Sequence, residues 1–177
     1  AWRCPAEFPA GLADKVLLEL VERARELDPG DDPEVAAHLA VAAAWAPAAA
    51  AGSERIEVAR AAVAAARAID DAPLLSAALD AETSALWGRG RVGEAARLAN
   101  ERLTLLDRFA RHDPRAGGEV IDMFHMAADT ALAAGHLRTA LDHAMLMRKD
   151  ELGETSPHAA SREAVIALTL LGRFPEA

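Results

Sequence analysis

Residues 88–95 read Gly88-Arg89-Gly90-Arg91-Val92-Gly93-Glu94-Ala95, and two later stretches follow the same pattern: Gly135-His136-Leu137-Arg138-Thr139-Ala140 and Gly172-Arg173-Phe174-Pro175-Glu176-Ala177. Each has a glycine, an apolar residue two positions on and an alanine five positions on, and each follows apolar residues at helical spacing. Glycine ends a helix where the backbone must take a positive φ, because it has no Cβ to clash. The apolar residue then staples the turn, and the small alanine lets the next helix pack close. The pattern predicts a helix hairpin, repeated along the chain.

Working outward, Gly, Pro and Asp clusters cut the rest into helix-length pieces, and no piece alternates apolar and polar residues as a strand would. The first predicted helix runs from about Leu12 to Leu27, with Val16, Leu17, Leu20, Val21 and Ala24 at helical spacing, and stops at Asp28-Pro29-Gly30-Asp31-Asp32. Asp32 caps a second helix from Pro33 to about Trp45. Ser53 opens a third, carrying Ile56, Val58, Ala59, Val63 and Ala66 to Ile69, and Asp70-Asp71 caps a fourth from about Ala72 to Trp87. A fifth is predicted to hold Val92, Ala95, Leu98, Leu103, Leu105, Leu106 and Phe109. A sixth starts at His112-Asp113-Pro114 with Val120, Ile121, Phe124, Ala128 and Leu132 on its core face. A seventh, ending before Gly153, carries Leu137, Ala140, Leu141, Ala144, Met145 and Met147. An eighth, from Ser156-Pro157, carries Val165, Ile166, Leu168 and Leu170, and a ninth begins after Gly172. The helix-opening prolines Pro33, Pro73, Pro114 and Pro157 are 40, 41 and 43 residues apart, a regular period.

The glycine-to-alanine turns resemble the tetratricopeptide family, in which a helix-ending glycine precedes a small alanine at the start of the second helix. Ala128 falls twelve residues before Ala140, as that family's small-residue pair would. The resemblance covers Pro33 to Ala177 and implies one all-α domain over residues 1–177, a right-handed α-solenoid of antiparallel helix hairpins with about eight helices. The segment Leu74-Leu75-Ser76-Ala77-Ala78-Leu79-Asp80, running into Ala85-Leu86-Trp87-Gly88, is similar to the helical arrays that follow the ATPase module in large actinobacterial (LuxR-type) transcription regulators and related signalling ATPases. That likeness implies a sensor or interaction region whose ATPase and DNA-binding parts lie elsewhere in a longer protein. The absence of an initiator methionine before Ala1 is read as agreeing with excision from such a parent.

Composition narrows the function classes. Apolar residues make up 52 % of the 177, much of that alanine, while aromatics are 4 % and tyrosine is absent, which favours closely packed helices over sheets. A formal charge of −9 opposes phosphate backbones and anionic lipid, so direct nucleic-acid contact and membrane binding are not expected. Lys15 and Lys149 are the only lysines; arginine supplies the other cations. Cys4 is the sole cysteine, which leaves no internal disulfide or thiolate cluster and fits a reducing cytoplasm. The apolar stretch from Leu39 to Ala51 is broken by Pro47 and is too weak to span a bilayer.

Few residues suggest chemistry. No Gly-x-x-x-x-Gly-Lys-Ser/Thr loop occurs, and Gly88-Arg89-Gly90-Arg91, which sets arginines beside a helix N-terminus as a phosphate-binding loop would, reads as a solvated hairpin turn. Asp122, His125 and Asp129 share one helical face and are spaced to reach a metal together, but no Glu-x-x-His pair or second ligand helix stands out, so no metal or cofactor is expected. Shifting by 45 residues, the distance from Gly90 to Gly135, places His125 on Asp80 and Asp129 on Ser84, so the fourth and sixth helices are expected to present polar groups on one exposed, concave face. Trp45 and Trp87 read as packing residues at the hairpin turns, and Met123, Met126, Met145 and Met147 as gap-fillers across the third hairpin. His112, His136, His143 and His158 are scattered, and no catalytic triad emerges.

The expectation is therefore a protein-interaction or regulatory scaffold and not an enzyme, with Asp80, Ser84, Trp87, Asp122, His125 and Asp129 meeting a protein, a peptide or a neighbouring domain of the parent. Homo-oligomerisation stays open. The alternative is an all-α small-molecule-binding or enzymatic domain with an enclosed pocket between hairpins; helix-turn-helix DNA binding is a weaker third, opposed by the acidic balance.

Overall fold

A computed structural model describes residues 15–27, 32–45, 53–110, 113–149 and 157–177. The expectations placed on residues 12–14, 28–31, Cys4, Pro47, His112, Gly153 and Ser156 lie outside these residues. Eight α-helices follow in order: α1 Lys15–Leu27, α2 Pro33–Trp45, α3 Ser53–Ile69, α4 Ala72–Trp87, α5 Val92–Leu103, α6 Ala116–Ala133, α7 Leu137–Lys149 and α8 Pro157–Leu170. Short 3-10 turns occupy Leu106–Arg108 and Phe174–Glu176. Among the described residues there is no strand, and no helix is long and apolar enough to cross a membrane.

Helices α2 and α4 open alike, and an aspartate also holds the turn before α6. Asp32 Oδ1 accepts the amide of Glu34 at 2.8 Å, Asp71 Oδ1 that of Leu74 at 2.9 Å, and Asp113 Oδ1 that of Arg115 at 2.8 Å. Asp32 and Asp71 each satisfy a first-turn N–H that has no partner within its helix, with Pro33 and Pro73 in the same turn, where a missing N–H is no loss, whereas Asp113 bonds the residue just before α6. Asp70 does not cap. It takes a left-handed φ of 58° and turns the chain from α3 into α4 within two residues, a conformation aspartate tolerates better than most side chains.

The turns after α4, α6 and α8 share one geometry. The glycines have φ of 72°, 78° and 74° at Gly90, Gly135 and Gly172. Arg91, His136 and Arg173 donate to the carbonyls of Leu86, Ala131 and Leu168, while the glycines donate to Trp87, Leu132 and Thr169, the double closure of a Schellman motif in all three. Gly135→Ala is expected to lower stability by about 1–2 kcal/mol, the penalty of a Cβ in the left-handed region. Gly93→Ala, inside α5 with open space around the added methyl, is expected to raise stability by about 0.5–1 kcal/mol. Thermal midpoints of the two variants check this; shifts of the same sign would contradict the turn geometry.

Each helix packs against the next from α1 to α8, and α2 also meets α4, α4 meets α6 and α6 meets α8. α4 is the centre: 14 of its 16 residues are buried, and only Ser84 and Trp87 stay half-exposed. Its neighbours come close because alanines face it. Ala59, Ala62, Ala66 and Ala95 are all fully buried in one core with the α4 side chains, and such small side chains let backbones approach. Trp45 lies half-buried against this core with its indole N–H donating to the Ala77 carbonyl at 3.0 Å, a packing role.

Several expected core positions differ. α5 stops at Leu103 and does not reach Phe109, because Thr104 bonds back to the Glu101 carbonyl at 2.7 Å and a 3-10 turn follows. Leu105 is nevertheless buried, with Leu103, Leu106 and Phe109 packed beside the core. On α7 it is Met147 that is buried, while Met145 is exposed. On α8 the packed face is Glu163, Ala164, Ala167 and Leu168, leaving Val165, Ile166 and Leu170 exposed, as are Leu20 and Val58 on α1 and α3. Alanine takes the contact positions and the larger side chains move to the rim.

Candidate functional site

The charges of the molecule gather where the even-numbered helices meet. α4 brings Ser76 and Asp80, one turn apart, towards Glu119 and Asp122 of α6, and α5 inserts Arg102 between them. Arg102 is 0 % exposed. Its Nε donates to Ser76 Oγ at 2.7 Å, Nη2 to Glu119 Oε2 at 2.7 Å and Nη1 to Asp122 Oδ2 at 2.6 Å, while Nη1 lies 3.1 Å from Asp80 Oδ1. Ser76 in turn donates its hydroxyl hydrogen bond to Glu119 Oε2 at 2.6 Å, closing the ring. Burial is the largest influence on Arg102 and would lower its pKa. Together, however, Asp80, Asp122 and Glu119 outweigh it and hold the guanidinium well above its usual range.

Asp80 therefore does not line an open concave face. It is 2 % exposed, because Arg102 fills the space where solvent or a partner was expected. Asp122 turns to the same guanidinium. Ser84 and Trp87 remain half-buried on the last turn of α4 and join neither charge cluster, so the expected stripe is divided.

The other half of the stripe meets α8. His125 and Asp129 of α6 stand opposite Glu163, with His125 Nδ1 2.8 Å from Glu163 Oε1 and His125 Nε2 3.7 Å from Asp129 Oδ2. Arg162 Nη2 donates to Glu163 Oε1 at 2.7 Å and lies 3.3 Å from Asp129 Oδ2. The Glu163 hydrogen bond raises the His125 pKa against the opposing effect of burial, helped by the charges of Asp129, Glu163 and Asp122. Burial raises the Asp129 carboxyl, with His125 and Arg162 pulling the other way.

Sequence reasoning did not find Arg102, Glu119 or Glu163. The signal was there: Arg102 continues the stripe Ala95, Leu98 and Ala99, and Glu119 the stripe Ala116, Val120 and Met123, so each is a charge in register with buried apolar residues. Their partners on other helices, 17 to 43 residues away, are not encoded in any local period.

A groove of about 310 Å³ lies between α3, α4 and α5, with Arg60, Arg67 and Arg97 on its walls. Each of these arginines is paired with a glutamate, Glu82 for Arg60 and Glu101 for the other two. Arg91 of the Gly88–Arg91 turn is likewise paired, with Glu94. The chain matches no protein-family model, no curated protein and no solved structure.

Proposed function

We propose that the chain is an interaction scaffold, a right-handed solenoid of antiparallel, tetratricopeptide-like helix hairpins that serves as the regulatory or sensor region of a transcription regulator or signalling ATPase. The observation that carries the scaffold reading is the repeated unit. Three turns share one hydrogen-bond pattern, and each even-numbered helix packs on the next even-numbered one. The regulatory setting rests on the sequence likeness alone.

The binding surface we assign is the outer face of α8. Counting back seven residues from the turn glycine gives Thr83 on α4 and Ala128 on α6, which are 1 % and 0 % exposed, but Val165 on α8, which is 42 % exposed. The residue two after the glycine is half-buried at Val92 and Leu137 and 69 % exposed at Phe174. α5 and α7 lie against α4 and α6, whereas α8 keeps Val165, Ile166 and Phe174 in the open. The matching occupant is an amphipathic helix with a small-residue stripe, set on α8 as α5 is set on α4. It comes from a protein partner or from a neighbouring part of the parent.

A photo-crosslinking residue at position 166 tests this in cells of the source organism, with position 58 on the outer side of α3 as the control. One discrete adduct from position 166 is expected, mapping by mass spectrometry to a helical segment and lost on Val165→Asp. No adduct, or the same adduct from position 58, would refute the assignment.

A further inference from the structure

We propose that His125, Asp129 and Glu163 form a binding site for a divalent first-row transition metal ion, Zn²⁺ being the best match, that ties α6 to α8. One imidazole nitrogen and two carboxylate oxygens, one from each residue, lie within 4.8 Å of one another. The second ligand helix that the sequence did not reveal is α8.

Glu163 carries the argument. Its side chain is 0 % exposed, on the alanine face of α8, where a carboxylate is costly to bury. Oε1 is shared by His125 and Arg162, but Oε2 is buried with no hydrogen-bond partner among the described residues. A cation beside the carboxylate would satisfy both oxygens. The nearest cation, Arg162, is a poor permanent occupant: its side chain is 55 % exposed, and its contacts with Asp129 are long, at 3.3 and 3.4 Å. With His125 neutral, one guanidinium brings a single positive charge to two carboxylates, whereas a divalent ion brings two.

The donor set selects the class of ion. One imidazole with two carboxylates suits zinc and its first-row neighbours, while calcium and magnesium favour all-oxygen shells. Around a tetrahedral ion with bonds of about 2.0–2.2 Å the donors stand about 3.3–3.6 Å apart, so the widest pair, within 4.8 Å, has to draw in while His125 Nδ1 and Glu163 Oε1, at 2.8 Å, have to part to admit the ion. Arg162 must swing into solvent as they do, which its exposure permits. Three protein ligands leave at least one position for water.

The test is calorimetric titration of the EDTA-treated chain with ZnCl₂ in a Cys4→Ser background, which removes the sole thiol, followed by Co²⁺ absorption spectra as a report on coordination. One equivalent is expected to bind. Glu163→Gln, which keeps the shape of the side chain, should weaken binding at least about tenfold and abolish the Co²⁺ d–d bands; His125→Gln, at a more exposed position, should do the same. Arg162→Ala should tighten binding by removing the competing cation. Equal affinity in the wild type, Glu163→Gln and His125→Gln, or no binding by the wild type, would overturn the site. Neither result bears on the crosslinking at position 166.

Discussion

Arg102→Met is expected to cost about 3–5 kcal/mol, the range seen when one partner of a buried ion pair is removed. Methionine fills much of the arginine's volume, so the loss is electrostatic and not a cavity effect. Without the guanidinium, Asp80, Glu119 and Asp122 face one another at the α4–α6 contact with no counter-charge, and Ser76 loses the donor that fixes its hydroxyl. Since small domains have about 5–15 kcal/mol in total, the variant should melt far below the wild type or fold only in part. Arg102→Lys should lie between the two, because a single ammonium cannot reproduce the fork that reaches three partners. Adding Glu119→Gln to Arg102→Met should restore part of the loss, and a double-mutant cycle in urea measures how much. A cost below about 1 kcal/mol, the level of an exposed pair, would show that the cluster is hydrated and that α4 is not enclosed.

Leu79→Ala should be nearly as severe. Leu79 is 0 % exposed at the middle of the helix that all the inner helices surround, and truncating such a leucine costs about 2–5 kcal/mol through lost burial and the cavity left behind. Leu170→Ala is the control, because the leucine is 60 % exposed and should change stability by no more than about 0.5 kcal/mol. Denaturant midpoints of the pair separate the enclosed helix from the open one. A comparable loss at Leu170 would mean that the α8 face is covered, which would remove the proposed docking surface.

The starts of α2, α3 and α4 and the glycine ends of α4 and α6 were legible in the sequence to the residue, because aspartate caps, prolines and glycines act locally. The end of α5 was not. Leu103, Leu105, Leu106 and Phe109 keep helical spacing through a segment that Thr104 turns into 3-10 structure. On α7 Ala140, Ala144 and Met147 are buried as expected and Met145 is not, while on α8 Val165, Ile166 and Leu170 were read as core and stand exposed. Bulk marks the core in most helices, but where alanines such as Ala164 and Ala167 hold the contact, Val165, Ile166 and Leu170 can stand outward although Leu168 stays buried beside them. Asp80 was read as exposed because polarity usually means solvent; the arginine that reverses this is 22 residues away. Glu163 likewise stands 38 residues from His125, so the half of the cluster on α6 was visible and the half on α8 was not.

The guanidinium of Arg102 also sets where the molecule can be divided. In a stack whose units touch only their neighbours, pieces can be removed, duplicated or melted one by one. Here one side chain from α5 is shared by the helices on either side of it. Peeling α6 away strands Glu119 and Asp122, and peeling α4 away strands Asp80 and Ser76. This one side chain therefore makes α4, α5 and α6 a single block, and a cut anywhere between them leaves a buried charge without its counter-charge.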